Sequence, residues 1–154
     1  MEDVDAAYCN SLGKFVAYLR ARPSKKQAED AHRELSTRLC IQLTKLAYSL
    51  AVVLNKQVID AEVMARVRQV AFDSAKGRTL TLLRRMHLRG TVGENLGGLV
   101  AHTGHDRREE EALLKFLRRI KAVERYTLKN CQQWRLSPRL VRLWKEVHGA
   151  ESTP

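Results

Sequence analysis

Residues 95–120 read NLGGLVAHTGHDRREEEALLKFLRRI, and this stretch decides the fold that we expect. The apolar residues of its first part recur at helical spacing and predict a short helix over residues 95–102. Residues 103–105, Thr-Gly-His, predict a tight turn, because glycine readily adopts the backbone angles that turns require. Asp106 is a good helix N-cap and predicts a second, longer helix that reaches about Ile120.

Two helices joined by a short glycine-containing turn form the helix-turn-helix arrangement, which holds the second helix out from the body of a protein. Glu109, three residues after Asp106, favours the same helix start through a capping-box pair. The second helix is apolar on one side and basic on the other. Its apolar side comprises Leu113, Leu114, Leu117 and Ile120. The cations expected to contact phosphates or base edges of DNA are Arg107, Arg108, Lys115, Arg118 and Arg119.

A β-hairpin is predicted directly after this helix. Residues 123–129 alternate with a period of two and are rich in β-formers, residues 130–132 can turn, and residues 133–136 can return as a second strand. Lys129 and Arg135 on this hairpin are expected to hold the flanking nucleic-acid backbone. Trp134 on the hairpin is a candidate for stacking on a base, whereas Trp144 lies on an apolar face and is expected in the core.

Apolar stripes predict further helices on both sides of this region. The expected ranges are 4–19, 31–54, 60–77, 79–88 and 138–147. Ser24 is expected to cap the helix that follows Pro23, and Asp60 and Ser137 are expected to cap later ones. Gly77 is expected at the C′ position, where a left-handed residue ends the third range.

The positive charge of the chain is local. The 154 residues include 28 Lys and Arg against 17 Asp and Glu, a net charge of +11. Residues 112–145 contain ten basic side chains and one acidic side chain, Glu124, whereas residues 1–76 carry a net charge of +3. Such a concentrated field suits a polyanion, because neutralising phosphates releases counterions. DNA is therefore the expected partner, double-stranded by preference and single-stranded as the second choice.

The same composition excludes several classes of protein. Three widely spaced cysteines do not form a disulfide framework. The chain has no apolar run long enough to cross a membrane and opens with acidic, polar residues unlike a secretory signal, so an intracellular place is expected, in the cytoplasm or nucleoid or in the nucleus. His102, His105 and Cys131 lack a fourth ligand at a convincing spacing, so neither a metal nor another cofactor is expected.

Residues 90–147 resemble a winged-helix DNA-binding domain of the helix-turn-helix superfamily. The upstream helical pair resembles the small helical lid of an AAA+ ATPase. Its relevant residues are Arg38-Leu39 through Leu46-Ala47, Leu50-Ala51-Val52-Val53 and Ile59-Asp60…Val63…Val70-Ala71. A lid followed by a winged helix is the C-terminal arrangement of MCM-type helicases and origin-binding initiators. The resemblance therefore implies a place in a DNA replication assembly, with an ATPase, helicase or primase as partner.

The chain departs from this family in one respect. Neither Gly13-Lys14 nor Gly77-Arg78-Thr79 fits the Walker A spacing and sequence, so the chain by itself is expected neither to bind ATP through a P-loop nor to hydrolyse it.

We therefore expect a mainly α fold, with an N-terminal helical bundle followed by a winged-helix domain that carries a small β-hairpin. The expected boundaries are 1–77 for the lid-like bundle, 78–150 for the nucleic-acid-binding domain and 151–154 for a disordered tail. The expected function is a non-enzymatic DNA-binding module. Its helical pair, residues 31–77, is structural or docks onto a partner ATPase or a second copy of the chain.

Two alternatives stay open at this point. The winged helix could dock a partner protein instead of DNA, although interaction surfaces normally mix charges and Glu124 is the only acid in the basic stretch. An all-helical bundle could bind single-stranded DNA, as in the accessory domains of primase-polymerases, if the predicted hairpin did not form.

Overall fold

The computed structural model describes the backbone of residues 3–21, 28–75 and 77–149. Within these ranges the chain is mainly helical, with one small antiparallel hairpin. The helices are α1 (Asp3–Arg20), α2 (Ala28–Val53), α3 (Ala61–Asp73), α4 (Arg78–Arg89), α5 (Leu96–Thr103), α6 (Arg107–Arg119) and α7 (Pro138–His148). The strands are β1 (Val123–Leu128) and β2 (Cys131–Leu136), and a short 3₁₀ turn spans Gly90–Val92. The predicted mainly α fold with a small hairpin is confirmed, and the all-helical alternative is wrong.

Two helix starts are capped as predicted. The Asp60 side chain accepts a hydrogen bond from the backbone N–H of Val63 at 3.0 Å. The Ser137 hydroxyl accepts one from the backbone N–H of Leu140 at 3.2 Å, and Pro138 occupies the first turn of α7. Each bond satisfies an N–H that has no partner inside the helix. The predicted cap at Ser24 and the predicted tail at 151–154 lie outside the described residues.

The predicted role of Gly77 is wrong, because α3 ends four residues earlier, at Asp73. The Ser74 hydroxyl donates to the carbonyl oxygen of Ala71 at 2.7 Å, and a side chain bonded in this way competes with the helical backbone bonds. Gly77 instead precedes α4, with a positive φ of 149°.

The hairpin turns earlier than predicted. Lys129 and Asn130 form a two-residue turn with positive φ values of 47° and 61°, which suits the twist of the flanking strands. Leu128 therefore pairs with Cys131, and β2 begins at Cys131 rather than at residue 133. Glu94, just before α5, extends the hairpin by pairing with Trp134 through backbone hydrogen bonds of 2.8 and 2.9 Å.

Helix α1 connects the early helices to the basic half of the chain. It packs against α2, α3 and α7. The ring of Phe15 meets Trp144 edge to face at 5.2 Å, and the Tyr8 hydroxyl donates to the carbonyl oxygen of Val147 at 3.1 Å. The buried apolar side chains of both halves belong to one cluster. The domain boundary at residue 77 stays a prediction.

Gly93 is the position at which a side chain is least tolerable in the hairpin region. Its φ of 67° and ψ of −168° belong to a region that only glycine adopts readily. A Cβ there would lie 2.6 Å from the carbonyl oxygen of Trp134, which accepts the Glu94 bond. We expect Gly93→Ala to lower the free energy of unfolding by about 2 kcal/mol, measured by urea denaturation.

The matched control for this prediction is Gly104→Ala. Gly104 also has a positive φ, 68°, but a Cβ there meets nothing within 4 Å. We expect Gly104→Ala to lower the free energy of unfolding through backbone strain alone, by about 1 kcal/mol. Equal losses in the two variants would mean that the close approach to Trp134 has no energetic effect.

A half-buried histidine, His148, makes stability depend on pH. Burial lowers the pKa of His148 below its ordinary value of 6.5, and Arg68, Arg84 and His87 lower it further, whereas its bond to the Trp144 carbonyl acts in the opposite direction. Below pH 6.5 the unfolded chain therefore takes up this proton more readily than the native chain. We expect the free energy of unfolding to fall between about pH 7.5 and pH 5.5.

The variant His148→Phe tests this expectation, because it keeps a ring against Trp144, whose centroid lies 4.7 Å away, and removes the titrating group. Urea denaturation across the same pH range should then show a flatter dependence. A carboxyl group with a lowered pKa, such as Glu62 bonded to Lys56, acts below its ordinary value of 4.5 and outside this range. An unchanged slope in His148→Phe would refute the assignment to His148.

Candidate nucleic-acid interface

The turn between α5 and α6 sets the direction in which α6 leaves the body of the protein. Gly104 ends α5 in the left-handed conformation, and its N–H donates to the carbonyl oxygen of Val100 at 2.8 Å. The Asp106 side chain caps α6 by accepting from the backbone N–H groups of Arg108 and Glu109, at 2.8 and 3.2 Å. The predicted pair of helices with a short capped turn is therefore confirmed.

A buried carboxylate that was not foreseen from the sequence anchors the start of α6. Glu110 is fully buried, and its Oε2 accepts from Nε and Nη2 of Arg78 at 3.0 Å each. Nη1 of Arg78 donates to Glu109 at 2.6 Å, so the Glu109 carboxylate binds Arg78 rather than completing the predicted capping box. Because Arg78 begins α4, these bonds tie the first turns of α4 and α6 together.

The sequence did carry a signal for this carboxylate. Glu110 stands three and seven residues before Leu113 and Leu117, and residues at these separations share one face of a helix. The dipole of a helix favours acids in its first turn, whichever way their side chains point. An acid that falls on an apolar stripe instead indicates a buried ion pair with a distant cation.

Helix α6 has the two predicted faces. Its predicted apolar residues are all buried, and Phe116, which was not among them, is buried as well. The predicted cations of this helix are all exposed: Arg107, Arg108, Lys115, Arg118 and Arg119. Helical geometry places Arg108, Lys115 and Arg119 along the centre of the exposed face, with Arg107 and Arg118 on one flank.

The charge of Lys115 is partly neutralised within the helix. Its Nζ lies 2.7 Å from Oε1 of Glu111, one turn earlier. The Lys115 ammonium holds the pKa of the Glu111 carboxyl below its usual value, through a hydrogen bond and through its charge. Glu111 stands just before the basic stretch 112–145. Because it pairs with Lys115, the exposed face of α6 contains one acid among its cations.

The two hairpin residues predicted to contact nucleic acid differ in their surroundings. Lys129 is exposed in the turn, which six residues of β1 place about 20 Å from the base of the hairpin. Arg135 is held in place by two contacts: its Nη2 lies 3.1 Å from the Glu124 carboxylate, and its guanidinium lies 4.7 Å from the ring centre of Tyr126. Of the two, Lys129 is the more available to an outside anion.

Five of the seven predicted contact residues are not engaged in ion pairs within the described part of the chain. These are Arg107, Arg108, Arg118, Arg119 and Lys129. Four of them lie on α6 and one at the tip of the hairpin. The structure thus brings the α6 cations together on one face and places Lys129 apart from them.

Trp134 does not offer a stacking surface on the hairpin. It is only 4% exposed and pairs with Glu94, so its indole belongs to the core. The prediction that Trp144 lies in the core is confirmed, since it is also 4% exposed. It stacks between the imidazoles of His87 and His148, at centroid distances of 4.6 and 4.7 Å.

Among the described side chains, no group of three or more His, Cys, Asp or Glu could hold a metal ion. His105 Nδ1 lies 3.8 Å from the buried Glu110 carboxylate, and Cys131 is exposed at the start of β2. None of the described helices has the length and apolar character needed to cross a membrane.

Comparison of the chain with protein-family models, curated proteins and solved structures finds no match.

Proposed function

We propose that this chain is a non-enzymatic DNA-binding module of the winged-helix type that works within a DNA replication helicase, primase or initiator assembly. The order of elements supports the winged-helix interpretation: α4, α5, the capped turn, α6, the hairpin and α7 follow one another. Helix α6 is the recognition helix in this proposal, and the hairpin is the wing, with Lys129 at its tip. A helix held in this way can enter a major groove of duplex DNA.

The observation that carries the proposal is the set of uncompensated cations on α6. Arg107, Arg108, Arg118 and Arg119 are exposed and form no ion pair with the described residues. Basic side chains that only keep a helix surface soluble are often paired with nearby acids, as Lys115 is with Glu111. Four guanidinium groups without such partners on one helix present a strong field to phosphates.

The replication assembly is proposed from the resemblance of residues 31–77 to an AAA+ lid. One feature of the structure supports a docking role for this region. Val52 and Val53, at the end of α2, are each 79% exposed, and Val58 in the following loop is 68% exposed. Apolar side chains that project from a helix end in this way are suited to contact with a partner protein.

A salt titration of duplex binding tests the proposed function. If five cations contact phosphates, the logarithm of the association constant should fall with the logarithm of salt concentration with a slope of about −4.5. Fluorescence anisotropy of a labelled duplex gives the constants. An affinity that hardly changes between low and moderate salt would exclude DNA binding through this face.

A further inference from the structure

We propose that a groove between α4, β2 and α7 is a docking site for an acidic segment of a partner protein that carries apolar anchor side chains. The volume of this groove is about 600 Å³. It is lined from α4, from the 3₁₀ turn, from the end of β2 and from α7. None of the predicted DNA contacts on α6 lines it, and of the two predicted on the hairpin only Arg135 does, whose guanidinium is bonded to Glu124.

The floor of the groove is apolar. Leu136 and Met86 form its buried part, while Val141 is half-buried and Pro138 is exposed at its edge. The volume of the groove, about 600 Å³, is in the range of ordinary ligand sites. Apolar surface of this kind gains free energy when an apolar side chain displaces water from it.

The rim of the groove is cationic. Arg135, Arg142 and Lys145 line it, and no Asp or Glu does so among the described residues. Arg135 is bonded to Glu124, but Arg142 and Lys145 are exposed and form no ion pair with the described part of the chain. A ligand with negative charge beside an apolar group therefore complements both the rim and the floor.

An acidic protein segment fits this groove better than nucleic acid does. Single strands bind where bases stack on aromatic faces, and the described lining residues include no Phe, Tyr or Trp. His87 has the only aromatic ring among the described lining residues, and it already stacks on Trp144 at 4.6 Å. The backbone of a DNA duplex presents charged phosphates and sugars rather than apolar groups that could fill the floor. A segment whose carboxylates flank a Leu or Phe side chain can pair with the cations of the rim and fill the apolar floor at the same time.

Two exposed apolar side chains directly follow lining residues in the chain. Leu88 follows the lining residue His87 and is 60% exposed, and Val92 follows the lining residue Thr91 and is 57% exposed. A segment longer than a single anchor residue would therefore find apolar contacts on both sides of the 3₁₀ turn.

The experiment uses the full chain and a fluorescein-labelled synthetic peptide in which Asp and Glu alternate with Leu and Phe. We expect this peptide to bind, and we expect the double variant Arg142→Glu with Lys145→Glu to weaken its binding about tenfold or more. The matched control is Arg118→Glu with Arg119→Glu, which changes the net charge equally on α6 and should change peptide affinity by no more than about twofold. Amide shifts at Thr91, Leu136 and Val141 in a nuclear magnetic resonance titration should locate the peptide in the groove.

Three outcomes would overturn the proposal. The first is an absence of peptide binding to the unaltered chain. The second is equal binding of a peptide in which Ser replaces each Leu and Phe, since this would show attraction by charge alone. The third is an oligothymidine probe that binds the chain, competes with the peptide and is weakened by the same groove variant, which would make the groove a nucleic-acid site.

Discussion

Replacing Arg78 by methionine is expected to lower the free energy of unfolding by about 3–5 kcal/mol. The Arg78 guanidinium donates two hydrogen bonds to one oxygen of Glu110, whose side chain is fully buried. The variant leaves this carboxylate in the core without its cation, and an uncompensated buried charge is strongly destabilising. Urea denaturation at neutral pH measures the loss.

Two further variants separate the charge effect from a general loss of packing. The double variant Arg78→Met with Glu110→Leu should regain most of the lost stability, because it removes both charges and leaves apolar side chains of similar size. Arg66→Met breaks an exposed pair with Glu62, at 3.1 Å, and should change stability little. A double variant as unstable as the single one would show that the cost lies in packing and not in the unpaired carboxylate.

Reversing two charges on α6, Arg108→Glu with Arg119→Glu, is expected to weaken duplex binding about 100-fold at moderate salt. Both residues lie along the centre of the exposed face, and neither forms an ion pair with the described residues. The change removes two phosphate contacts and adds two repulsive charges, so the salt slope should also become shallower by about two. Anisotropy titrations at several salt concentrations give both quantities.

The matched control reverses two charges on other helices, at Lys45 on α2 and Arg66 on α3, both of which are exposed. It changes the net charge by the same amount, so a general electrostatic effect would weaken binding equally in both variants. We expect the control to retain most of its affinity. Equal losses would reject α6 as the contact surface, while circular dichroism confirms that both variants remain helical.

Local chemistry explains why much of the fold could be predicted. The helix starts at Asp60, Asp106 and Ser137 follow from side chains that cap their own backbone, and these interactions span only two or three residues. The predicted end of α3 at Gly77 was wrong, because the helix ends at Asp73, where the Ser74 hydroxyl bonds the Ala71 carbonyl.

The candidate site was predictable only in part. The exposure of the α6 cations follows from helical periodicity, which needs no knowledge of the rest of the chain. The pairing of Arg135 with Glu124, 11 positions away, depends on the register of the strands. The pairing of Glu110 with Arg78, 32 positions away, depends on the contact between α4 and α6. The same holds for Trp134, the candidate for base stacking, which is only 4% exposed and pairs through its backbone with Glu94.

The packing of α1 against α7 has a consequence for the order of events during synthesis. The hydrogen bond between Tyr8 and Val147 joins residues 139 positions apart, and the ring of Phe15 contacts Trp144 near the end of the described chain. While a ribosome is still making the middle of the chain, the apolar side of α1 therefore lacks one of its partners. Contacts this distant in sequence slow folding and leave apolar surface open to aggregation in the meantime. The nascent chain should therefore depend on chaperones until α7 has emerged.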